Sequence, residues 1–202
     1  CWDAGSGAPV SNTDGSITSQ VRANPSAGFS IVTYTDPASG SVQTVGHGLN
    51  AAPEFIIVKS RTGVTVWLTY HKSLGKDYYT RLEDTDASYN VSNIWGSAEP
   101  TSSVFGVKGD NQSNMVAYCF APVAGYSSAF SFTGTGTDPG PFVYLGFKPK
   151  LIIVKRTDSG NAASHWRMID MTINPYNVAD TLLYANSSAS EITEVWGEYD
   201  AL

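Results

Sequence analysis

The sequence predicts an all-β protein of two tandem antiparallel β-sandwich repeat units, the second incomplete. Three observations carry that expectation. Apolar residues come in short runs such as "FSIVTYT", "VTVWLTY" and "NMVAYCFA", dominated by the β-branched and aromatic residues that suit a pleated surface. Turn-forming stretches such as "TDPASG" and "TGTGTDPG" separate the runs. The chain also repeats itself, because "FIIVK" at 55–59 returns as "LIIVK" at 151–155.

Followed in order, the repeat sets the domain boundaries. "CWDAG" at 1–5 matches the way "CFA" at 119–121 and "GYSS" lead into the second copy, so Cys1 and Trp2 stand where Cys119 and Phe120 stand. The chain therefore reads as opening on the end of an earlier unit. Residues 6–25 are extra, and 1–27 are expected to be that strand end plus a linker. The first unit, 28–121, begins with "FSIVTYT". Val32, Tyr34, Thr35, Val45 and Gly48 recur as Phe130, Phe132, Thr133, Val143 and Gly146, at an offset of 98. Pro53 and Phe55–Lys59 recur as Pro149 and 151–155 at an offset of 96, and each proline precedes its strand, where a missing N–H does no harm. The continuous apolar run after it suggests a strand covered on both faces. Trp67 recurs as Trp166, and "VSNIWG" at 91–96 as "ITEVWG" at 192–197, an offset of 101. Stepwise drift of this kind is what loop insertions between matching strands produce. The second unit, 122–202, has no equivalent of "VFGVKGDNQSNMVAYCFA". Its unpaired edge is expected to be completed head to tail by a strand of a neighbouring chain, unless the missing strand follows in a longer parent polypeptide. The only passable helical stretches are short, near "YNVADTLLYA" and "EITEVW".

Bulk properties agree with a globular β protein. Of 202 residues 42% are hydrophobic and only 15% charged, and the net charge of −6 comes with no basic run, which excludes a nucleic-acid footprint. No apolar stretch approaches the length of a membrane helix, so membrane insertion is not expected. Two cysteines make no disulfide framework and no zinc spacing; they read as free thiols in strands or as one bridge, within or between subunits.

Several segments carry a more specific likeness. "SNTDGSITSQVRANPSAGFSIVTYT", "TVGHGLNAAPEFIIVK", "YHKSLG", "AEPTSSVF", "VAYCFAPVAGYS" and "GPFVYLGFKPKLIIVKRTD" together resemble a tandem repeat of virion proteins of marine tailed bacteriophages, described as tail-fibre-like or structural. The resemblance covers nearly all of the chain. It implies an extended, particle-associated protein without catalytic residues.

The residues themselves point to no chemistry. His47 in "GHG" has "YLG" as its counterpart, so the fold does not require a histidine there, and it reads as a turn residue. His71 and His165 sit beside aromatics at strand ends. No nucleophile, carboxylate pair or phosphate-cradling loop surrounds any of them, so no enzyme is expected and a glycan-degrading activity is disfavoured. Glu83, Asp84 and Asp86 are spaced as calcium ligands would be, yet "LYANSSA" at 183–189 carries no acid, which favours an ordinary solvated turn and no cofactor. "NVS", "NQS" and "NSS" match the glycosylation pattern and read as unmodified surface loops.

Trp67 with Trp166, and Trp95 with Trp196, recur as packing residues would. Cys1, Trp2 and Cys119 are the candidate assembly residues. Tyr78, Tyr79, Tyr126 and Tyr144 are the candidate contacts for a host-surface glycan or a partner, because such rings stack on sugars and anchor interfaces. The expected function is that of a structural phage protein, part of a fibre or appendage, whose partners are copies of itself or other virion proteins. The alternative is a secreted carbohydrate-binding module.

Overall fold

A computed structural model of the chain describes residues 2–110, 114–137, 140–160, 164–173 and 179–193. Alternation of large apolar and polar residues builds its strands, and the pairing between them is antiparallel throughout. They are β1 (Val10–Asn12), β2 (Ser19–Asn24), β3 (Phe29–Tyr34), β4 (Val42–Gly46), β5 (Phe55–Ser60), β6 (Leu68–His71), β7 (Tyr78–Arg81), β8 (Tyr89–Asn90), β9 (Val104–Lys108), β10 (Met115–Phe120), β11 (Leu151–Val154), β12 (Arg167–Asp170), β13 (Thr181–Tyr184) and β14 (Ile192–Thr193). A 3-10 turn, Pro25–Ala27, capped by the Asn24 side chain, joins β2 to β3.

The first ten strands form a sandwich. An eight-stranded sheet runs β1-β2-β3-β10-β5-β6-β7-β8, and the ribbon β4-β9 covers one face of it. On that inner face Val32, Ala117, Ile56, Val58 and Tyr70 meet Val45 and Phe105 of the ribbon, with Leu49 and Trp95 closing the cluster from loops. Tight approach between layers explains two glycines: a Cβ on Gly106 would stand 2.5 Å from the Gly96 Cα, and Gly96 itself has φ of +92°. "FIIVK" is central, between β10 and β6, but its two faces differ. Ile56 and Val58 are buried while Phe55, Ile57 and Lys59 are half-buried, so the run is not covered equally on both sides.

Residues 6–25, expected as a linker, instead supply β1 and β2. Their own alternation explains it, since Ser19 and Val21 turn inward and pair through β3 with the rest of the sheet. Ser19 Oγ donates to Gly46 O and Ile17 bridges Val45, which ties this hairpin to the ribbon.

The last four strands form a second sheet, β11-β12-β13-β14, over a smaller cluster of Ile169, Met171, Ala179 and Leu182. Its registers reproduce those of β5-β6-β7-β8. Phe55 faces His71 as Leu151 faces Asp170; Leu68 faces Arg81 as Arg167 faces Tyr184; Tyr79 faces Tyr89 as Leu182 faces Ile192. The offset is therefore 96 for the first strand of the meander, 99 for the second and 103 for the last two. Ile192 corresponds to Tyr89, not to Val91 as the "VSNIWG" match suggests. The two assignments differ by two residues, which preserves the inward face and so leaves the hydrophobic pattern unchanged.

Thr181–Tyr184 and Ile192–Thr193, read from the sequence as parts of helical stretches, are strands because pairing with β12 overrides a weak local preference. Conversely, the described residues of 128–150 contain no strand, although their counterparts form β3 and β4. The reason is pairing: β3 is held by β10 and β4 by β9, and among the described residues nothing stands beside β11 as β10 stands beside β5. β11 is thus a sheet edge, and Phe132, Phe142 and Tyr144 lie exposed.

Candidate functional site

The first sheet's outer face, turned away from the ribbon, carries a row of aromatic rings. Phe29, Phe120 and Phe55 are direct cross-strand neighbours, with ring centres 4.9 Å and 5.7 Å apart. Trp2 closes one end of the row, 5.1 Å from Phe120, and Trp166 of the second meander closes the other, 6.4 Å from Phe55. Rings at these separations contribute beyond the area they bury.

Trp166 is the pin of the junction between the two meanders. It stands just before β12, where its backbone N–H donates to Asn186 Oδ1 and its C=O accepts from the Ala185 N–H. Its indole N–H crosses to the first meander and donates to Arg81 O at 2.8 Å. Beside it, Lys155 Nζ donates to Thr85 O and, at 2.7 Å, to Asp86 O. Burial pushes the Lys155 ammonium below its usual range, against the pull of Asp84 and Asp86. The Ser88 N–H and hydroxyl both donate to Thr157 O. Gly160 passes so close that a Cβ there would stand 2.8 Å from Ala87 N. The acidic loop 82–88 is therefore a docking loop for the second meander.

That loop's carboxylates are engaged locally: Glu83 accepts from the Trp67 N–H, Asp84 from the Asp86 N–H, and Asp86 from the Tyr89 hydroxyl. Among the described residues no group of three or more His, Cys, Asp or Glu side chains is gathered as a metal site would need. A family model described as a domain of unknown function, DUF7483, matches residues 1–202. The chain belongs to that family. No curated protein and no solved structure matches this DUF7483 chain.

The DUF7483 fold distributes the sequence-derived candidates widely. Cys119 is fully buried in β10 between Ser30 and Ile56, and burial pushes its thiol up to about 12, so it serves the core and offers nothing to a partner subunit. Cys1 lies outside the described residues. Trp2 is half exposed on the aromatic row. Tyr79 is buried and stacked on Tyr89, which removes it from any contact with solvent ligands. Tyr78, Tyr126 and Tyr144 are exposed, but no ring contact joins them among the described residues, and neither of two small cavities, of about 30 and 190 Å³, is lined by them.

His47 stands in the loop that directly follows β4, where the sequence placed it. It is buried, its Nδ1 accepting from the Leu49 N–H and its Nε2 lying 3.1 Å from Thr101 O, a pairing that fits the neutral ring. Burial lowers its pKa below 6.5. His71 stands beside Phe55, and His165 stacks on Tyr184 at 4.0 Å. Trp95 is a core residue whose indole N–H donates to Tyr78 O, while Trp196 lies outside the described residues. Sequence reasoning missed Lys155 and the 82–88 loop as a junction. The recurrence of Lys59 with Trp67 was its visible trace, but a recurring pair does not say which surface it meets.

Proposed function

We propose that this protein is a non-enzymatic structural component of a phage particle, part of a fibre or similar appendage, acting through subunit assembly and surface attachment. One observation carries the reading: the chain builds the same four-stranded meander twice, in the same register, and stacks the second on the first through a dedicated junction. A design of this kind extends by repetition, since each unit brings the surface the next one needs. Among the described residues β11 has one strand neighbour, β12, and this supports the same reading, because exposed edges in free monomers invite strand pairing. Its partners are then copies of itself or other virion proteins, and its location is the virion.

Immunogold labelling of purified particles with antibodies to the 202-residue chain tests this. Label along a tail appendage is the expected result. Antigen found only in particle-free medium, with isolated monomer binding defined glycans on an array through Tyr126 or Tyr144, would instead establish a secreted carbohydrate-binding module.

A further inference from the structure

The junction between the meanders has two halves, and the chain carries a second, unused copy of each. The half contributed by the second meander is Trp166 with Lys155. Its equivalent in the first is Trp67 with Lys59, because Trp67 precedes β6 as Trp166 precedes β12, and Leu82 N–H donates to Trp67 O as Ala185 N–H donates to Trp166 O. Trp67 is only half-buried, with Lys59 Nζ 6.0 Å above its ring, and its indole N–H meets no acceptor among the described residues. Lys59 Nζ is turned onto its own loop, to Gly63 O and Thr65 Oγ1.

The other half is the outer face of the meander. In the first it consists of Phe55, Ile57, Thr69 and Thr80, with Thr69 and Thr80 both buried. The equivalent positions in the second are Leu151, Ile153, Met168 and Leu183. Ile153, Met168 and Leu183 are direct cross-strand neighbours on three adjacent strands. Leu151, Ile153 and Leu183 are 41%, 36% and 43% exposed. This is a contiguous apolar patch, more apolar than its covered counterpart, on a face where a polar surface would be expected of a free sheet.

We propose that the outer face of the second meander, centred on Leu151, Ile153 and Leu183, binds the Trp67–Lys59 side of a second copy of this chain, repeating between molecules the contact that Trp166 and Lys155 make within one. The inference rests on the assembly reading above and names the surface and the partner. Two different patches meet, so the contact is heterologous and extends as a row of subunits. Asp84 and Asp86 have no acidic counterparts at the matching positions Ser187 and Ala189. In the contact between copies Lys59 therefore meets backbone carbonyls without neighbouring carboxylates, as Lys155 meets Thr85 O and Asp86 O, and the apolar patch supplies the rest.

Complementation tests it. Sedimentation velocity on the full chain should give a concentration-dependent series for wild type. Trp67→Ala, blocked at one side, and Leu183→Glu, blocked at the other, should each weaken association about tenfold or more. An equimolar mixture should recover one-to-one dimers and stop there, since one intact pair of surfaces remains. Lys59→Met serves as a second variant on the first side if Trp67→Ala lowers the melting temperature. A wild-type chain that stays monomeric, single variants that associate like wild type, or a mixture that remains monomeric would each overturn the proposal. Immunogold label on particles with no self-association would sink this contact while leaving the particle assignment standing.

Discussion

Ile56 and Ile152 are the same residue type, at matching positions, in strands of the same register, and they should differ sharply in what they contribute. Ile56 is 0% exposed, within the cluster formed between the first sheet and the β4-β9 ribbon. Ile56→Ala removes three carbons from that cluster, about 2.4 kcal/mol at about 0.8 kcal/mol per buried carbon. A cavity that neighbours fill only in part adds roughly 1 to 1.5 kcal/mol, bringing the loss to about 3.5 kcal/mol. Ile152 is half-buried against the smaller cluster, and among the described residues no ribbon lies over it. About half of its transfer term is already absent and no closed cavity forms, so Ile152→Ala should lose roughly 1 to 1.5 kcal/mol. Hydrogen exchange read by mass spectrometry on peptides from β5 and β10, and separately from β11 and β12, assigns each loss to its own sheet. Equal losses, or a greater loss for Ile152→Ala, would show that the repeated registers carry equal cores and would refute the role given to the ribbon.

Stability should fall as the pH is lowered past 6.5, because burial depresses His47 and His71 and the unfolded chain then binds the extra protons; urea midpoints for wild type and His47→Gln measured from pH 8 to 5 should show a shallower fall in the variant. Cys119 should resist a thiol reagent at pH 8 in the native protein and react on denaturation, and fast native labelling would mean that β10 is not central. Gly106→Ala should lose roughly 1 to 3 kcal/mol by forcing β9 off the Trp95–Gly96 turn, checked by thermal melting. Tyr144→Ala, at a side chain 82% exposed, should change stability by less than about 0.5 kcal/mol in the same melts.

The β class was legible from alternation, because Val32, Ile56, Val58 and Ala117 had to share one face once their strands paired. The kinship of β5 with β11 was legible too, since the apolar run is kept in both copies although only the first is deeply buried. The strand order was not: nothing local in "NMVAYCFA" says that β10 enters between β3 and β5, because that choice is made by partners far away in the chain. The two-residue slip at Ile192 was invisible to a pattern of period two. The strand at Thr181–Tyr184 was hidden for a related reason, as "TLLY" suits either state and β12 decides. The outer-face junction was hidden most deeply. Trp166 and Trp67 look alike as letters, and only the neighbour that Trp166 meets, Arg81 O, gives it a distinct role.

The central position of β10 has a consequence in time. It is the last strand of the first sandwich to leave the ribosome, yet it supplies the pairing between β3 and β5. Until residue 120 is clear of the exit tunnel, the nascent sandwich presents two unzipped halves, each with a bare edge. The closing contacts span most of the unit, from Phe29 to Phe120, so completion is a slow, long-range step. During that interval a β10 from a neighbouring chain on the same polysome competes for the same slot. Synthesis rate and chaperone access should therefore govern the yield of correctly closed protein more strongly than its final stability does.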